Sequence, residues 1–188
     1  MRKMQTQRIN DEIMDTILVC EHEEIVTVGP RARNDGIQPP QDYPSSPVDR
    51  GGGLTWHGPG QLVVYPIIKW DLEGESNVKA VIAILEQWVI NSLEQLGVNG
   101  RRDERMQGVW VGDNKICSIG LSFLRWTSRH GLTVNCNTPP GRVETVSGCG
   151  LGQDTTTSLS SLGYDITTDM VLDSLIGNTD ALSRDLSN

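Results

Sequence analysis

Between Ser76 and Gly97, apolar residues recur at positions 78, 81, 82, 85, 88, 89, 93 and 96. This follows the 3.6-residue turn of a helix with one buried stripe. Ser76 or Asn77 stands ahead to accept the first free backbone N–H groups, and Gly97 ends the pattern. Elsewhere the runs are short and β-branched. Ile17–Cys20 and Ile25–Val28, separated by charged residues, read as two short strands. Leu62–Trp70 reads as a buried strand in which Pro66 marks an edge or a bulge. Gly108–Leu121 predicts a hairpin turning at Asp113-Asn114, a pair that tolerates positive φ. His130–Cys136 predicts a further strand, and Thr156–Leu162 and Thr168–Leu186 predict short amphipathic helices. Pro30–Pro47 holds five prolines and predicts a long loop, and Arg50–Gly53 a tight turn. Strands outnumber helices and follow one another in runs. The fold class is therefore α+β: a mixed or antiparallel sheet with flanking helices.

The length of 188 residues predicts a single domain over 1–188. A chain this long buries roughly 70% of its unfolded surface, so it needs neither a disulfide nor a metal to fold. No apolar run approaches ~18–20 residues, and Met1–Asn10 is polar, so neither a membrane span nor a secretory signal is expected. Cys20, Cys117, Cys136 and Cys149 then read as free thiols in a reducing cytoplasm. Their spacing suits no zinc site. The net charge is −8, concentrated from Glu144 onward, which argues against nucleic acid as a partner. Arg101–Arg142 is the opposite, with seven bases against three acids, and suits an acidic partner.

Cys149 sits in Val-Ser-Gly-Cys-Gly, where flanking glycines leave a thiol unshielded and let the backbone approach a substrate. An ordinary thiol is only about 3% ionised at pH 7, so a nucleophilic role requires a partner that stabilises the thiolate. Lys115 opens the apolar strand Ile116-Cys117-Ser118-Ile119. A lysine there ordinarily faces water; turned inward beside Cys149 it would act as base and thiolate partner. His57 and His130 each precede a glycine and could orient a carbonyl or partner a thiol, whereas His22, between acids, reads as exposed. Gly51–Gly53 lacks the Lys-Ser/Thr of a phosphate loop.

Five segments, in order, resemble the lipoyl/octanoyl transferase family: Arg50-Gly-Gly-Gly-Leu-Thr-Trp-His-Gly-Pro-Gly-Gln61, Gly108-Val-Trp-Val111, Lys115-Ile-Cys-Ser-Ile-Gly120, His130-Gly-Leu-Thr-Val-Asn135 and Gly148-Cys-Gly150. The resemblance implies a single domain similar to the catalytic domain of biotin and lipoate protein ligases. It implies transfer of an octanoyl or lipoyl group from acyl carrier protein to a lysine of a lipoyl domain, as in 2-oxoacid dehydrogenases or the glycine cleavage H protein. It assigns Cys149 as thioester nucleophile and Lys115 as its acid/base partner, with no cofactor. It places Arg50, Gly51, Gly52, Gly53, Leu54, Thr55, Trp56 and His57 along the acyl pocket. Ser118, Ile119 and Gly120 line it as well, with Gly131, Leu132 and Thr133, and His130 in support. The acidic carrier then becomes the expected partner of Arg101–Arg142. The alternatives are an ATP-dependent lipoate ligase on the same fold and an inactive module that binds carrier or lipoyl domains.

The chain is expected to depart from the family in three places, one of them Glu23-Glu24, which replaces a more usual Pro-rich turn. Met1–Arg8 would be the remnant of a longer N-terminal element. Gly148 stands where the family commonly has Pro, which loosens the loop before Cys149. Strand alternation puts Cys117 on the face of Lys115, although it is expected to serve packing.

Overall fold

The computed structural model describes residues 1–146 and 155–183. Two sheets share the work. The larger has five antiparallel strands: β1 (Thr16–Cys20), β5 (Gln61–Ile67), β8 (Thr127–Asn135), β7 (Asn114–Leu124) and β6 (Val109–Val111), in that spatial order. The smaller places β2 (Ile25–Val28) between β3 (Ser45–Pro47), parallel to it, and β4 (Leu54–His57), antiparallel. The α+β class with mixed and antiparallel sheets is borne out.

One face of the large sheet carries the core. Helix α3 (Val78–Gln95) lays Val81, Ile82, Leu85, Trp88, Val89 and Leu93 against Leu62, Val64, Leu132 and Val134. The Asn77 side chain caps it by accepting from Ala80 N at 3.0 Å. Gly97 follows with φ of 76°, a conformation glycine adopts without strain. Helix α5 (Thr168–Gly177) adds Val171 and Leu175, and the Trp88 indole donates to the Leu175 carbonyl at 2.9 Å. Fully burying each large side chain in this layer stabilises the fold by about 1.5–3 kcal/mol.

Several boundaries differ from the sequence reading. The β6–β7 turn is Gly112-Asp113, one residue earlier than expected, because Gly112 takes the positive φ of 55° and Asn114 already pairs with Val111. The last strand starts at Thr127, joined to β7 by Arg125 and Trp126, both at positive φ and lacking a glycine to announce the turn. Pro66 lies in a central strand, not an edge. Its missing N–H coincides with a lapse in the β5–β8 ladder between Val64↔Leu132 and the Lys69↔Thr127 bridge. The Pro30–Pro47 segment is not wholly loop: it holds α2 (Pro30–Asn34) and β3. Thr156–Leu162 is extended at Thr156, which bridges Lys115, and only Ser160–Leu162 forms a 3₁₀ turn. α5 stops at Gly177, and a 3₁₀ turn at Thr179–Leu182 follows. At the N-terminus, α1 (Arg2–Ile9) is a polar helix tied down by Gln5 Nε2 to the Thr127 carbonyl at 2.8 Å and by Arg8 to Asp15 at 2.6 Å.

Candidate active site

The other face of the large sheet carries polar side chains. Alternation along β5 turns Gln61, Val63 and Tyr65 away from the helices, and along β8 it does the same for Gly131, Thr133 and Asn135. The small sheet stands over this face and encloses a cavity of about 550 Å³ between them. Every described candidate lines it: Arg50 through His57, Lys115, Ser118 through Gly120, and His130 through Thr133. Cys149, with Gly148 and Gly150, lies outside the described residues. Its flanks do reach the cavity wall, at Val146 on one side and Thr156 on the other.

The glycine-rich loop is fixed to both sheets. Gly51 N donates to the Leu121 carbonyl at 2.9 Å, and Gly29 N donates to the Gly53 carbonyl at 2.9 Å. Gly120 permits this approach, since a Cβ there would stand 2.9 Å from the Gly51 oxygen. The Arg50 guanidinium ties the loop internally, donating to the carbonyls of Thr27, Gly51 and Gly53 and to Thr27 Oγ1 at 2.7 Å.

Behind the loop runs a buried hydrogen-bond chain. Gln61 Nε2 donates to the Trp56 carbonyl at 3.0 Å and to Asn135 Oδ1 at 2.8 Å, which leaves Gln61 Oε1 as acceptor for His57 Nδ1–H at 2.8 Å. His57 Nε2 then accepts from Thr27 Oγ1 at 3.1 Å. Burial pushes the His57 pKa down to about 4, against the smaller upward pull of Gln61. His57 is thus a neutral, doubly bonded ring that shapes the wall, not a free partner for a thiol. His130 behaves differently. Its Nε2 bonds Asp49 Oδ1 at 2.7 Å, and Arg129 also pairs with Asp49. Burial lowers the His130 pKa despite that carboxylate.

Lys115 is buried, 4% exposed, and its side chain passes over Gly108: a Cβ on Gly108 would sit 2.7 Å from Lys115 Cε. It does not share a face with Cys117. Val111↔Asn114 and Trp110↔Lys115 keep one register, but Val109 pairs with Cys117, so β7 carries an extra residue there. This bulge reverses the alternation, sending Ile116 and Cys117 to the core and leaving Lys115 with Ser118 and Gly120 at the cavity. Burial pushes the Cys117 thiol up to about 12, so it stays protonated at neutral pH and packs as a small hydrophobe.

Other cavity residues were not singled out in the sequence. His22 is no exposed bystander: its Nε2 meets Tyr65 Oη at 2.7 Å, and its ring meets His57 edge-on at 5.8 Å. Gln61 and Asn135 close two of the family-resembling segments, and Tyr65 carried only a faint signal, a polar group four positions after Gln61 within an apolar strand.

The model of the lipoyl protein ligase A/B catalytic domain matches residues 1–179. The chain belongs to the lipoyl protein ligase A/B catalytic-domain family. Within it, the octanoyltransferase of Syntrophobacter fumaroxidans is 39% identical over 172 residues, covering 88% of this chain and 75% of that protein. The octanoyltransferase of Corynebacterium efficiens is 40% identical over 183 residues, covering 93% and 71%. Among solved structures, a lipoate-protein ligase A bound with ATP superposes with a TM-score of 0.74 at 15% identity, over 98% of this chain and 81% of that one. The lipoate-ligase fold expected from the motifs is therefore present, and the relatives by sequence are transferases.

Proposed function

We propose that this family member carries an octanoyl group from an acyl carrier protein, through a thioester on Cys149, to a lysine of a lipoyl domain. Acyl transfer in lipoylation is the activity that the octanoyltransferase relatives support, and the chain is an acyltransferase. The residue assignments and the two macromolecular partners are our reading, as are the treatment of 1–188 as one catalytic domain and its place in the cytoplasm. No helix among the described residues is long and apolar enough to cross a membrane.

The observation that carries the reading is convergence. A buried lysine lines the same cavity as both flanks of the cysteine segment and the glycine-rich loop. The Cys149 thiolate attacks the carbonyl carbon of the donor thioester, and the carrier thiolate leaves with a proton from the Lys115 ammonium, which becomes the neutral amine. The acceptor amine then attacks the acyl-enzyme carbonyl, the Cys149 thiolate departs, and Lys115 receives the proton lost by the amine. The donor is already activated, so the sequence of steps balances without ATP. Six methylenes of an octanoyl chain at ~0.8 kcal/mol each supply roughly 5 kcal/mol of binding in the cavity. One methylene more or less changes this by only ~1–3 kcal/mol, so chain-length selection is partial.

Intact-protein mass spectrometry after mixing with octanoyl-acyl carrier protein, without ATP, tests this. One octanoyl adduct on the wild type, absent from Cys149→Ala and removed by hydroxylamine, is expected. Adduct formation by folded Cys149→Ala overturns the nucleophile assignment. Transfer that needs ATP and free octanoate selects the ligase chemistry of the structural neighbours instead.

A further inference from the structure

The segment that returns from the cysteine region is paired with the Lys115 backbone, and the Asn135 side chain braces that pairing. Lys115 N donates to the Thr155 carbonyl at 2.8 Å, and Thr157 N donates to the Lys115 carbonyl at 3.0 Å, making a short parallel pairing. Asn135, 2% exposed at the end of β8, grips this pairing from below. Its Nδ2 donates to the Thr157 carbonyl at 2.9 Å, and its Oδ1 accepts from Gln61 Nε2 at 2.8 Å. Its own carbonyl accepts from Leu159 N at 2.9 Å, so side chain and backbone clamp residues 157 and 159 together. Through Gln61 the clamp continues to His57 and the glycine-rich loop.

We infer that Asn135 is a positioning residue: it sets the height of the Lys115 backbone against the strand that returns from Cys149, and so aims the Lys115 ammonium. The inference rests on the reading of Cys149 and Lys115 as a pair. The amide is matched to the task. An acceptor must face Gln61 Nε2 and a donor must face the Thr157 carbonyl, and a primary amide supplies both from one planar group. Alanine supplies neither, and leaves two buried partners unsatisfied within reach of the lysine's own strand.

Four proteins separate the inference from the reading beneath it: wild type, Lys115→Met, Asn135→Ala and Asn135→Ser. The readout is the pH dependence of Cys149 alkylation by iodoacetamide, followed by peptide mass spectrometry. Backbone amide exchange at Lys115 and Thr157 accompanies it. In Lys115→Met the alkylation midpoint rises by about one pH unit or more, a ~10-fold slower reaction at pH 7. In Asn135→Ala it rises in the same direction, exchange at Lys115 and Thr157 speeds up while the β7–β8 ladder stays protected, and kcat falls ~10-fold with KM within about twofold. Should Asn135→Ala not fold, Asn135→Ser is read in its place. A shift in Lys115→Met with none in a folded Asn135 variant overturns the positioning role and leaves the pair intact. No shift in Lys115→Met overturns the pair, and the positioning role with it.

Discussion

The two faces of the large sheet are built from the same strands and obey different rules. On β5, Leu62 and Val64 meet the helices while Gln61, Val63 and Tyr65 meet the cavity. On β8, Leu132 and Val134 pack in the core, whereas Asn135 is held by hydrogen bonds to Gln61 and Thr157. The helix face is held by many weak contacts, each replaceable by another apolar group of similar volume. The cavity face is held by few directional ones, and each donor there has one place to go. Stability is therefore expected to reside in the first face and geometry in the second, although only one backbone separates them.

The largest effect expected is on the cavity face. Lys115→Met lowers the rate of octanoyl transfer by ~10²–10⁴ while leaving thermal unfolding nearly unchanged, measured by steady-state kinetics beside calorimetry. A large fall in thermal stability would break the division of labour. Leu85→Ala is its mirror. Leu85 is 0% exposed under α3, and its truncation costs ~2–5 kcal/mol in urea unfolding, with activity per folded molecule retained.

His57 gives a pH dependence whose sign is fixed by its burial. Its folded pKa of about 4 lies below the ordinary 6.5, so between those values the unfolded chain holds the extra proton. The neutral ring's contribution is complete above pH 6.5 and is lost as the pH falls through about 4. It amounts to about 3 kcal/mol. Denaturation midpoints measured from pH 7.5 to 4 should fall steeply in the wild type and less in His57→Gln; parallel curves would refute this.

Gly108 joins the two faces. It sits at φ of 126°, and a Cβ there would stand 2.1 Å from the Cys117 carbonyl as well as against Lys115. Gly108→Ala is expected to cost ~1–3 kcal/mol and to lower activity, so that both assays respond. The smallest effect belongs to the rim. Arg142 pairs with Glu24 at 3.3 Å and donates to Tyr43 Oη at 3.0 Å, holding α4 (Arg142–Thr145) against the small sheet just ahead of the cysteine segment. Arg142→Ala should change stability by less than ~1 kcal/mol in the same unfolding assay.

What could be read in the sequence follows the range of the forces involved. Helix α3 was legible because its cap, its stripe and its terminal Gly97 are local. β4 was not, since Leu54–His57 becomes a strand only by pairing with Val28–Ile25, far away along the chain. The candidate residues were legible by resemblance, and their meeting in one cavity needed the fold. The basic stretch fared differently. Seen in sequence, Arg101–Arg142 is strongly basic, but Arg101 and Arg105 pair with Asp103 and Asp113, Arg102 with Glu86, and Arg129 with Asp49. A count of bases along the chain does not see acids that fold back onto them.

The bulge in β7 has a consequence for length. A strand is written in a frame of two, and the extra residue at Ile116–Cys117 is a frameshift that gives Lys115 its side of the sheet. Deleting Ile116 alone would erase the bulge and still leave the lysine facing the cavity, on an ordinary alternation with Cys117. Deleting Ile116 and Cys117 together would set Lys115 next to Ser118 and turn it toward the helices, with every catalytic side chain still in the sequence. Substitution alone cannot reach this kind of damage, because the strand counts its residues as well as choosing them.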